Sequence, residues 1–367
     1  IIEMLIILLG LAFTPILFYR IPRITMVAGN DETASLSIII PARNEEKNLP
    51  LLLADLGAQT GRRFEIICVD DDSSDATAQI AASLGVKVLS LDNKPDGWLG
   101  KTWACQNGAN AAQGELLLFL DADVRLGENG IPRLRQAYAD HGCPISVQPY
   151  HHTVRWYEQS SLLFNLVQIA ANGTALKKPL GIGLYGPTIL ISKADYTRIG
   201  GHESVRDSIL EDMALGQRLQ DTGIPYRLFV GDQDISFRMY SEGMRSLFQG
   251  WVKNIAAGAA KTPPALFGMV FLWISSMTSV AIQVAIMAFS GNMPGLTVYA
   301  GLYLLWVMIL SILSHKIGRF HRLPIVFYPI LLMVFLVIFS TSLFKKMFGL
   351  EVIWKGRAIR AGGSACK

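Results

Sequence analysis

Hydrophobic residues are concentrated at the two ends of this chain. Residues 1–19 form an apolar run whose only charge is Glu3, and three further apolar runs occupy roughly 265–290, 296–314 and 323–344. Each run approaches the roughly 20 residues that a helix needs to cross a bilayer. A soluble domain could bury one such helix, but three within about 80 residues are hard to bury in this way. The pattern predicts an integral membrane protein with transmembrane helices at both ends.

The first apolar run could instead be a cleaved signal peptide. Such peptides carry a basic segment before the apolar stretch and small residues at the cleavage site. Neither feature accompanies residues 1–19. We therefore expect a transmembrane helix over 1–23, a soluble domain over 24–260 and further transmembrane helices over 261–345.

Between the apolar ends, short apolar segments alternate with segments of helical pattern. The predicted strands are 36–41, 64–69, 86–91 and 115–120, and helices separate them. Buried strands without a regular alternation of polar and apolar residues, alternating with helices along the chain, are typical of a parallel sheet with helices on both faces. The sequence therefore predicts an α/β domain whose ligands bind at the carboxyl ends of the strands.

Basic residues beside the apolar runs predict the orientation of the protein in the membrane. Arg20 and Arg23 follow the first run and place the 24–260 domain in the cytoplasm. The uncharged turn at 291–295 suits the opposite side, and the basic segment 315–322 suits the cytoplasmic side. We expect a multi-pass protein of the cell membrane.

The basic tail over 346–367 conflicts with a simple count of spans. Its charge favours the cytoplasm, whereas four full spans place it outside. Pro324 and Pro329 interrupt the last apolar run, so a re-entrant or strongly tilted segment is an alternative to a full span. The sequence leaves both arrangements open.

Composition agrees with a membrane protein and excludes several other classes. Charged residues make up 17% of the chain, against about 25% in an average soluble domain. The net charge of +4, with basic residues near the spans, fits an anionic membrane surface better than nucleic acid. The four cysteines have no CxxC spacing, so neither a zinc site nor a disulfide scaffold is predicted.

Two glycine-containing segments imitate nucleotide-binding loops. "GWLGKT" (97–102) ends as a Walker A loop does, but that loop needs four residues between its glycines and this segment has two. "GIGLYG" (181–186) fits the pattern GxGxxG, but it lacks the preceding strand and following helix of a dinucleotide fold. Both interpretations are rejected, and Lys101 needs another explanation.

Acidic residues follow the second and fourth predicted strands. They are Asp70, Asp71, Asp72 and Asp75 after the second strand, and Asp121 and Asp123 after the fourth. A single D-x-D is common by chance, and Asp75 suits a helix N-cap. Two clusters in one cleft, however, would repel unless a cation or hydrogen-bond donors offset them. Carboxylates favour hard ions such as Mg²⁺ or Mn²⁺, which in turn bind phosphates.

The segments "IIIPARNEE", "VDDDSSDAT" and "FLDADV", in this order and spacing, resemble the nucleotide-binding half of a family 2 glycosyltransferase with the GT-A fold. The resemblance implies a UDP-sugar donor and Mg²⁺ or Mn²⁺. By this resemblance Asp71 holds the uracil with Asp70 beside it, Asp121 and Asp123 form the metal-binding DxD, and the nucleoside pocket is lined by Pro41, Ala42 and Glu45. The chain departs from the family's Asp-Asp-Gly-Ser run at Asp72, which occupies the glycine position.

Two further segments carry the resemblance to catalysis. Trp98, Gly100 and Lys101 match a "GW.GK..A" segment of members that act on apolar acceptors, which implies that Lys101 reaches the diphosphate as a point charge. The alternative is a solvated lysine at a helix start, an unfavourable end for a cation.

The segment "IGGHESVRDSILEDMALGQRL" resembles the family's Gly-Gly segment followed by a Glu-Asp pair. It implies that Asp212 is the general base of an inverting enzyme, with Glu211 and His202 nearby. The alternative is that Glu211 and Asp212 are favourable charges in the first turn of a helix.

The segment 237–254 separates single transfer from polymerisation. Processive synthases of the family carry Gln-x-x-Arg-Trp here, whereas this chain has Gln249, Trp251 and Lys253 in a different order. The difference favours transfer of one sugar. Trp251 suits an acceptor stack or an interfacial anchor, and Arg238 and Lys253 suit diphosphate or lipid headgroups.

Three stretches, "SVQPYHH", "FRMYSEG" and "EVIWKGR", resemble bacterial glycosyltransferases that glucosylate the carotenoid acid 4,4′-diaponeurosporenoate. The resemblance implies UDP-glucose as donor, a lipophilic acceptor in the membrane, and other membrane enzymes of the same pathway as partners. The alternatives are a lipid alcohol acceptor such as a sterol, ceramide or diacylglycerol, a processive polysaccharide synthase, and a non-catalytic UDP-sugar-binding protein.

Overall fold

The computed structural model describes residues 1–25, 34–60, 63–354 and 357–360. In chain order its helices and strands are α1 (Ile2–Leu17), β1 (Leu36–Ala42), α2 (Leu49–Gly57), β2 (Phe64–Asp70), α3 (Thr77–Ser83), β3 (Lys87–Ser90), α4 (Gly100–Ala111), β4 (Leu116–Leu120), β5 (Val124–Leu126), α5 (Gly130–His141), β6 (Ile145–Gln148), β7 (Tyr150–His152), α6 (Ser161–Ala171), β8 (Thr188–Ser192), α7 (Lys193–Arg198), α8 (Glu211–Asp221), β9 (Arg227–Val230), β10 (Ile235–Phe237), α9 (Met244–Ala259), α10 (Pro264–Ser290), α11 (Met293–Ile317), β11 (Gly318–Arg319), α12 (Arg322–Val326), α13 (Tyr328–Met347), β12 (Glu351–Trp354) and β13 (Arg357–Arg360). Two short 3₁₀ helices cover Trp156–Ser160 and His202–Val205.

The chain forms two compact units. We call the first the helical unit; it combines residues 1–21, 152–180 and 240–344. We call the second the sheet unit; it combines residues 22–151 and 181–239 with the chain from Lys345 onward. The division of function over 1–23, 24–260, 261–345 and 346–367 stays a prediction.

The sheet unit is built on a seven-stranded sheet with the order β3-β2-β1-β4-β8-β6-β9. Strands β1 to β4 are parallel to one another where they pair, β8 is antiparallel to both of its neighbours, and β6 and β9 are parallel. The mostly parallel α/β sheet predicted from the sequence is therefore confirmed. Each of the four predicted strands agrees with an observed strand to within about two residues at either end.

Strand β1 is buried on both faces, which explains why six of its seven residues are apolar. Ile38 and Ile40 lie in a core cluster with α2 on one face, while Ile39 lies in the cluster on the other face with α4. Gly108 of α4 lies so close to the sheet that an added Cβ would be 2.4 Å from Ile39 Cγ2. This close packing fixes α4, and with it Lys101, against the parallel strands.

The helical unit contains three helices that are long and apolar enough to cross a membrane. They are α10, α11 and α13, with 27, 25 and 20 residues. The predicted runs at 265–290 and 296–314 correspond to α10 and α11. The predicted run at 323–344 is instead divided between α12 and α13.

The N-terminal helix α1 is shorter than the predicted span, with 16 residues, and it packs antiparallel to α10. Gln283 donates a hydrogen bond to Glu3 at 2.6 Å near the start of α1, and Trp273 donates to Thr14 at 3.1 Å near its end. A Cβ at Gly10 would lie 2.3 Å from Ser276 Cβ, so glycine is required at this contact. The small residue lets the two backbones approach, as is common between membrane helices.

Candidate active site

The carboxyl ends of β1, β2 and β4 bring the predicted nucleotide-binding residues to one edge of the sheet. Ala42, the last residue of β1, pairs with Asp70, the last residue of β2. The backbone N–H of Asp71 then donates to the carbonyl of Ala42 at 2.9 Å. Pro41 lies one residue before Ala42 in the same strand, and Asp121 follows the last residue of β4. The sheet therefore places these sequence-predicted residues together.

The loops after β1 and β2 are locked to one another by hydrogen bonds. The Glu45 N–H, after β1, donates to Thr77 Oγ1, after β2, at 2.8 Å, and within the first of these segments Asn48 donates to the Glu45 carboxylate at 2.8 Å. The Asp70 and Asp71 side chains are buried, with 6% and 5% exposed. Asp70 Oδ1 has no hydrogen-bond partner among the described residues. A buried acceptor without a donor carries a free-energy penalty, so this pocket suits a ligand that brings its own N–H or O–H.

The backbone conformation of Asp72 explains why the family usually has glycine at this position. Its φ angle is +56°, in the left-handed region that glycine adopts without strain and aspartate tolerates. Its side chain is 63% exposed and forms an ion pair with Arg43 at 3.3 Å. Arg43 also donates to the Asp72 carbonyl at 2.7 Å. The additional charge of Asp72 is therefore paired at the rim of the loop.

Lys101, near the start of α4, joins the two groups of acidic residues. Its Nζ lies 2.7 Å from Asp121 Oδ1 and 3.2 Å from Glu211 Oε1. Burial on its own lowers the pKa of Lys101, but the negative charges of Asp121 and Glu211 outweigh burial and hold the pKa well above its usual value. A freely solvated lysine is therefore excluded, and a permanent ammonium lies between the DxD and the Glu-Asp pair.

Asp212, on the first turn of α8, is held by two backbone amides. Gly186 N–H donates to Asp212 Oδ2 at 2.9 Å, and Met213 N–H donates to Oδ1 at 2.8 Å. Burial and the charge of Glu211 raise the pKa of Asp212 to about 6, against the opposing effects of Lys101 and the two hydrogen bonds. The carboxylate is held in one orientation, and its pKa lies closer to neutral pH than that of an unperturbed aspartate.

The segment 181–186, rejected as a dinucleotide loop, positions Asp212. A Cβ at Gly186 would lie 3.0 Å from Asp212 Oδ2. Further along α8, a Cβ at Gly216 would lie 2.8 Å from Gly183 Cα, so the helix touches the segment backbone to backbone. Ser146 fixes the segment from the sheet, since Tyr185 N–H donates to its Oγ at 2.7 Å. Neither Ser146 nor the glycine pair was found from the sequence, because no local pattern reports a contact between distant segments.

His202 is buried close enough to Glu211 and Lys101 to interact electrostatically with both. Its ring is 2% exposed, and Nδ1 is 2.9 Å from Tyr196 Oη. The ring of Phe119 meets it edge-on at 5.0 Å, in the strand that leads to Asp121. Burial lowers the pKa of His202 to about 3. This position supports the strand end.

The remaining predicted residues fall into two groups. In the sheet unit, Trp98 is 7% exposed and packs against Trp103 at 5.0 Å, and Arg238 follows β10. In the helical unit, Trp251 and Lys253 belong to α9, and Trp251 is 3% exposed with its ring stacked on Phe164 at 4.6 Å. The packing of Trp251 favours a structural role within the helical unit.

The donor set at Asp121 and Asp123 fits a metal ion that arrives with phosphate. Among the described residues, no group of three or more His, Cys, Asp or Glu side chains could hold a metal ion by itself. Mg²⁺ is typically held by one or two carboxylates together with substrate phosphates. Two aspartates at a strand end, next to a cationic lysine, match that arrangement.

Comparisons with known proteins agree with this geometry. Residues 37–196 match the family model described as glycosyl transferase family 2. A relative from Staphylococcus haemolyticus, named 4,4'-diaponeurosporenoate glycosyltransferase, is 36% identical over 339 residues, covering 89% of each chain. A protein of the same name from Staphylococcus aureus (strain USA300) is 33% identical over 362 residues, covering 96% of this chain and 95% of the relative.

Among solved structures, the mannosyltransferase PcManGT from Pyrobaculum calidifontis, in complex with GDP-Man and Mn2+, is similar with a TM-score of 0.54. The identity is 14%, and the match covers 92% of this chain and 99% of that one. This likeness shows the fold, and the two relatives, matched over nearly their full length, show the family. The chain belongs to the family 2 glycosyltransferases and has their GT-A fold.

Proposed function

We propose that this protein is a membrane-bound, inverting glycosyltransferase that moves one glucose from UDP-glucose to the carboxyl group of a carotenoid acid. The observation that carries the proposal is the 36% identity, over 89% of both chains, to a protein named for glycosyl transfer to 4,4'-diaponeurosporenoate. The apolar helices α10 and α11 support a site in the cell membrane, and Arg20 and Arg23 support a cytoplasmic sheet unit.

The donor would bind across the ends of β1, β2 and β4. Asp71 would accept a hydrogen bond from the uracil, with Asp70 beside it, and the nucleoside would contact Pro41, Ala42 and Glu45. Asp70 Oδ1, buried and without a hydrogen-bond partner in the part of the chain that the structure describes, supports a ligand with its own donor groups in this pocket. Asp121 and Asp123 would hold Mg²⁺ or Mn²⁺, which neutralises negative charge on the diphosphate when bound.

Lys101 would supply a further positive charge to the leaving group. Because its pKa lies well above the usual value, it stays an ammonium throughout the reaction. An acceptor carboxylate oxygen then forms a bond to the anomeric carbon, while the bond from that carbon to the UDP oxygen breaks with its electron pair on UDP. The configuration at the anomeric carbon is inverted by this single displacement.

The chemical class of the acceptor determines whether Asp212 would have to act as a general base. A carboxylic acid, with a reference pKa of about 4, is already ionised near neutral pH. Asp212 then need not take a proton and serves to orient the acceptor. An alcohol acceptor would need a base, and Asp212, with a pKa of about 6, would be that base.

A lipid-soluble acceptor agrees with the apolar helices. A long apolar chain gains about 0.8 kcal/mol for each CH₂ that stays in hydrocarbon. An enzyme in the membrane can use such an acceptor without moving it fully into water. Other membrane enzymes of the same pathway would make the acid and consume the ester.

A panel of acceptors tests the proposal. Purified protein with Mn²⁺ and UDP-glucose would be given a carotenoid acid, a sterol, a ceramide and a diacylglycerol, and UDP release and product mass would be measured. We expect the fastest UDP release with the acid. Faster UDP release with an alcohol would show that the acceptor is an alcohol and not the carotenoid acid. A polymeric product would indicate a processive synthase. UDP binding without UDP release would indicate a non-catalytic protein.

A further inference from the structure

The helical unit has two ends that its own contacts define. Only a short turn at Gly291 and Asn292 separates α10 from α11, and Trp273 of α10 meets Trp306 of α11 at 5.8 Å, so the two helices run antiparallel. We call the end where α10 begins and α11 ends the near end. The turn between these helices is the far end.

The chain leaves the near end after α11 and is fixed there by the segment before α6. Thr153 Oγ1 donates to the Arg319 carbonyl at 2.5 Å, and His321 N–H donates to Gln159 Oε1 at 2.9 Å. The intervening Trp156 is 76% exposed. An exposed tryptophan beside arginine is typical of a membrane–water interface. The helix α12 therefore begins at the near end.

The junction of α12 and α13 lies about halfway along the helical unit. Tyr303 Oη donates to the Val326 carbonyl at 2.6 Å, and Tyr328 Oη donates to the Met277 carbonyl at 3.3 Å. At 1.5 Å per residue, Tyr303 lies about 21 Å from the near end of α11 and Met277 about 20 Å from that of α10. The chain therefore turns, at Phe327, without reaching the far end.

Helix α13 then returns to the near end. Phe335 packs on Phe164 of α6 with ring centroids 4.9 Å apart. Beyond it, Ser342 Oγ donates to the Val252 carbonyl at 2.5 Å and accepts from the Ala256 N–H at 3.2 Å. Both partners of Ser342 belong to α9, which directly precedes the start of α10. The two ends of α12–α13 are thus at the same end of the helical unit.

We propose that α12 and α13 form a re-entrant hairpin, which enters one leaflet of the bilayer from the near side and leaves it on that side. Its partner is the acyl chains of that leaflet. Exposed apolar side chains cover it: Leu323, Phe327, Ile330, Met333 and Val337 are between 52% and 68% exposed. The inference rests on the proposed membrane location.

The backbone of the turn suits hydrocarbon. Unpaired N–H and C=O groups are costly in lipid, so a break in a helix must be satisfied by protein. Tyr303 satisfies the Val326 carbonyl, and the Phe327 N–H donates to the Leu323 carbonyl at 3.2 Å. Pro329 falls in the first turn of α13 and has no N–H that would be left unpaired.

The hairpin removes the conflict over the basic tail. With one fewer crossing, Lys345 and Lys346 leave the membrane on the side of Lys316, Arg319 and Arg322, as the positive-inside rule requires. With α10 and α11 as the two crossings, the chain that follows α13 would lie on the same side of the membrane as the chain that precedes α10.

Labelling of single cysteines in sealed vesicles tests the hairpin. Cys68, Cys105 and Cys143 are buried, so a Cys366→Ser background would have little surface reactivity. Exposed positions for the probes are Leu350 after α13, Met293 at the far turn and Leu84 in the sheet unit. A membrane-impermeant maleimide should label Leu350→Cys and Leu84→Cys from one side and Met293→Cys from the other.

Labelling of Leu350→Cys from the same side as Met293→Cys would overturn the hairpin, because α13 would then cross the membrane. Labelling of Met293→Cys from the same side as Leu84→Cys would refute the membrane crossing on which the hairpin depends.

A spin label gives an independent measurement at the turn. Phe327 is 52% exposed, so Phe327→Cys should accept a nitroxide without disturbing the core. In bilayers we expect this nitroxide to collide more with oxygen than with a water-soluble nickel complex, and Leu84→Cys to show the reverse. Equal access of the nickel complex at both positions would contradict a turn inside the membrane.

Discussion

The Nζ of Lys101 lies 2.7 Å from Asp121 Oδ1, although the two residues come from different elements and from motifs with different predicted roles. The same ammonium is 3.2 Å from Glu211, beside the proposed base. One cation therefore connects the proposed metal-binding, diphosphate-binding and catalytic groups. A substitution at Lys101 should therefore affect the metal-binding, diphosphate-binding and catalytic groups together.

Replacing Lys101 with methionine should lower kcat by about 100-fold, as is typical when a preorganised charge is removed from a site. It should also raise the pKa of Asp212 further, because Lys101 is one of the groups that lower it. Steady-state kinetics would measure the first effect, and the pH profile with an alcohol acceptor would measure the second. The exposed Lys47→Met is the matched control. Equal activity of the two variants would show that Lys101 only stabilises the fold.

Replacing Asp212 with asparagine should separate acceptor types. With an alcohol acceptor the loss of a general base should cost roughly 10²–10⁴-fold in kcat. With a carboxylic acid acceptor we expect a much smaller loss, since the nucleophile is already ionised. Parallel kinetics on both acceptors measure the difference. Equal losses would mean that Asp212 is not a base in this protein.

The pH dependence of kcat/KM should also differ between an alcohol acceptor and a carboxylic acid acceptor. With an alcohol acceptor, the base form of Asp212 is lost as the pH falls through about 6, so kcat/KM should decline below that pH. With a carboxylic acid acceptor, the decline should begin nearer the acceptor's own pKa of about 4. Initial rates measured between about pH 4.5 and about pH 8 would test this prediction, because this range spans the pKa of Asp212. Coincident profiles would contradict it.

The contact between Gly216 and Gly183 should matter for both stability and catalysis. A Cβ at Gly216 would lie 2.8 Å from the Gly183 backbone, so Gly216→Ala should displace α8. We expect a loss of about 1–3 kcal/mol in the free energy of unfolding, and a lower kcat through the displaced Asp212. Gly57→Ala is the control, since nothing lies within 4 Å of its added Cβ. A Gly216 variant with unchanged kcat would contradict the positioning role.

Asp72 should be replaceable by glycine without loss. Its φ of +56° suits glycine, and its ion pair with Arg43 is too exposed to contribute much. Asp72→Val should instead lower the free energy of unfolding by roughly 1–2 kcal/mol, because a β-branched residue is strained in this region. Denaturant unfolding of both variants measures the difference. A Gly variant less stable than the Val variant would show that the carboxylate itself is needed.

The central strands β1 and β4 were predictable because they are buried on both faces and are therefore largely apolar, whereas the edge strand β3 is only partly buried. The order of Asp70, Asp71, Asp121 and Asp123 along the chain was enough to place them at strand ends. The pairing of Lys101 with Glu211 was not predictable, because it joins helices about 110 residues apart and depends on how each packs on the sheet.

The remaining differences from the sequence-based expectations have local causes. As a tryptophan near the membrane segments, Trp251 suits an interfacial anchor or an acceptor stack. The stacking of Phe164 on its ring shows instead that it is buried. For the last apolar run, the prolines left both a full span and a re-entrant segment open, and the contacts of Tyr303 and Tyr328 locate the break between α12 and α13. In both cases a tertiary contact supplies what the local pattern leaves undetermined.

The product of one reaction tests the central claim most directly. Purified protein, UDP-glucose labelled with ¹³C in the sugar, Mn²⁺ and a carotenoid acid would be incubated with and without the substitution Asp123→Asn. We predict a lipid ester that carries a single labelled glucose with inverted anomeric configuration by NMR, and its loss in the variant. A product with retained configuration, or full activity of Asp123→Asn, would contradict the account.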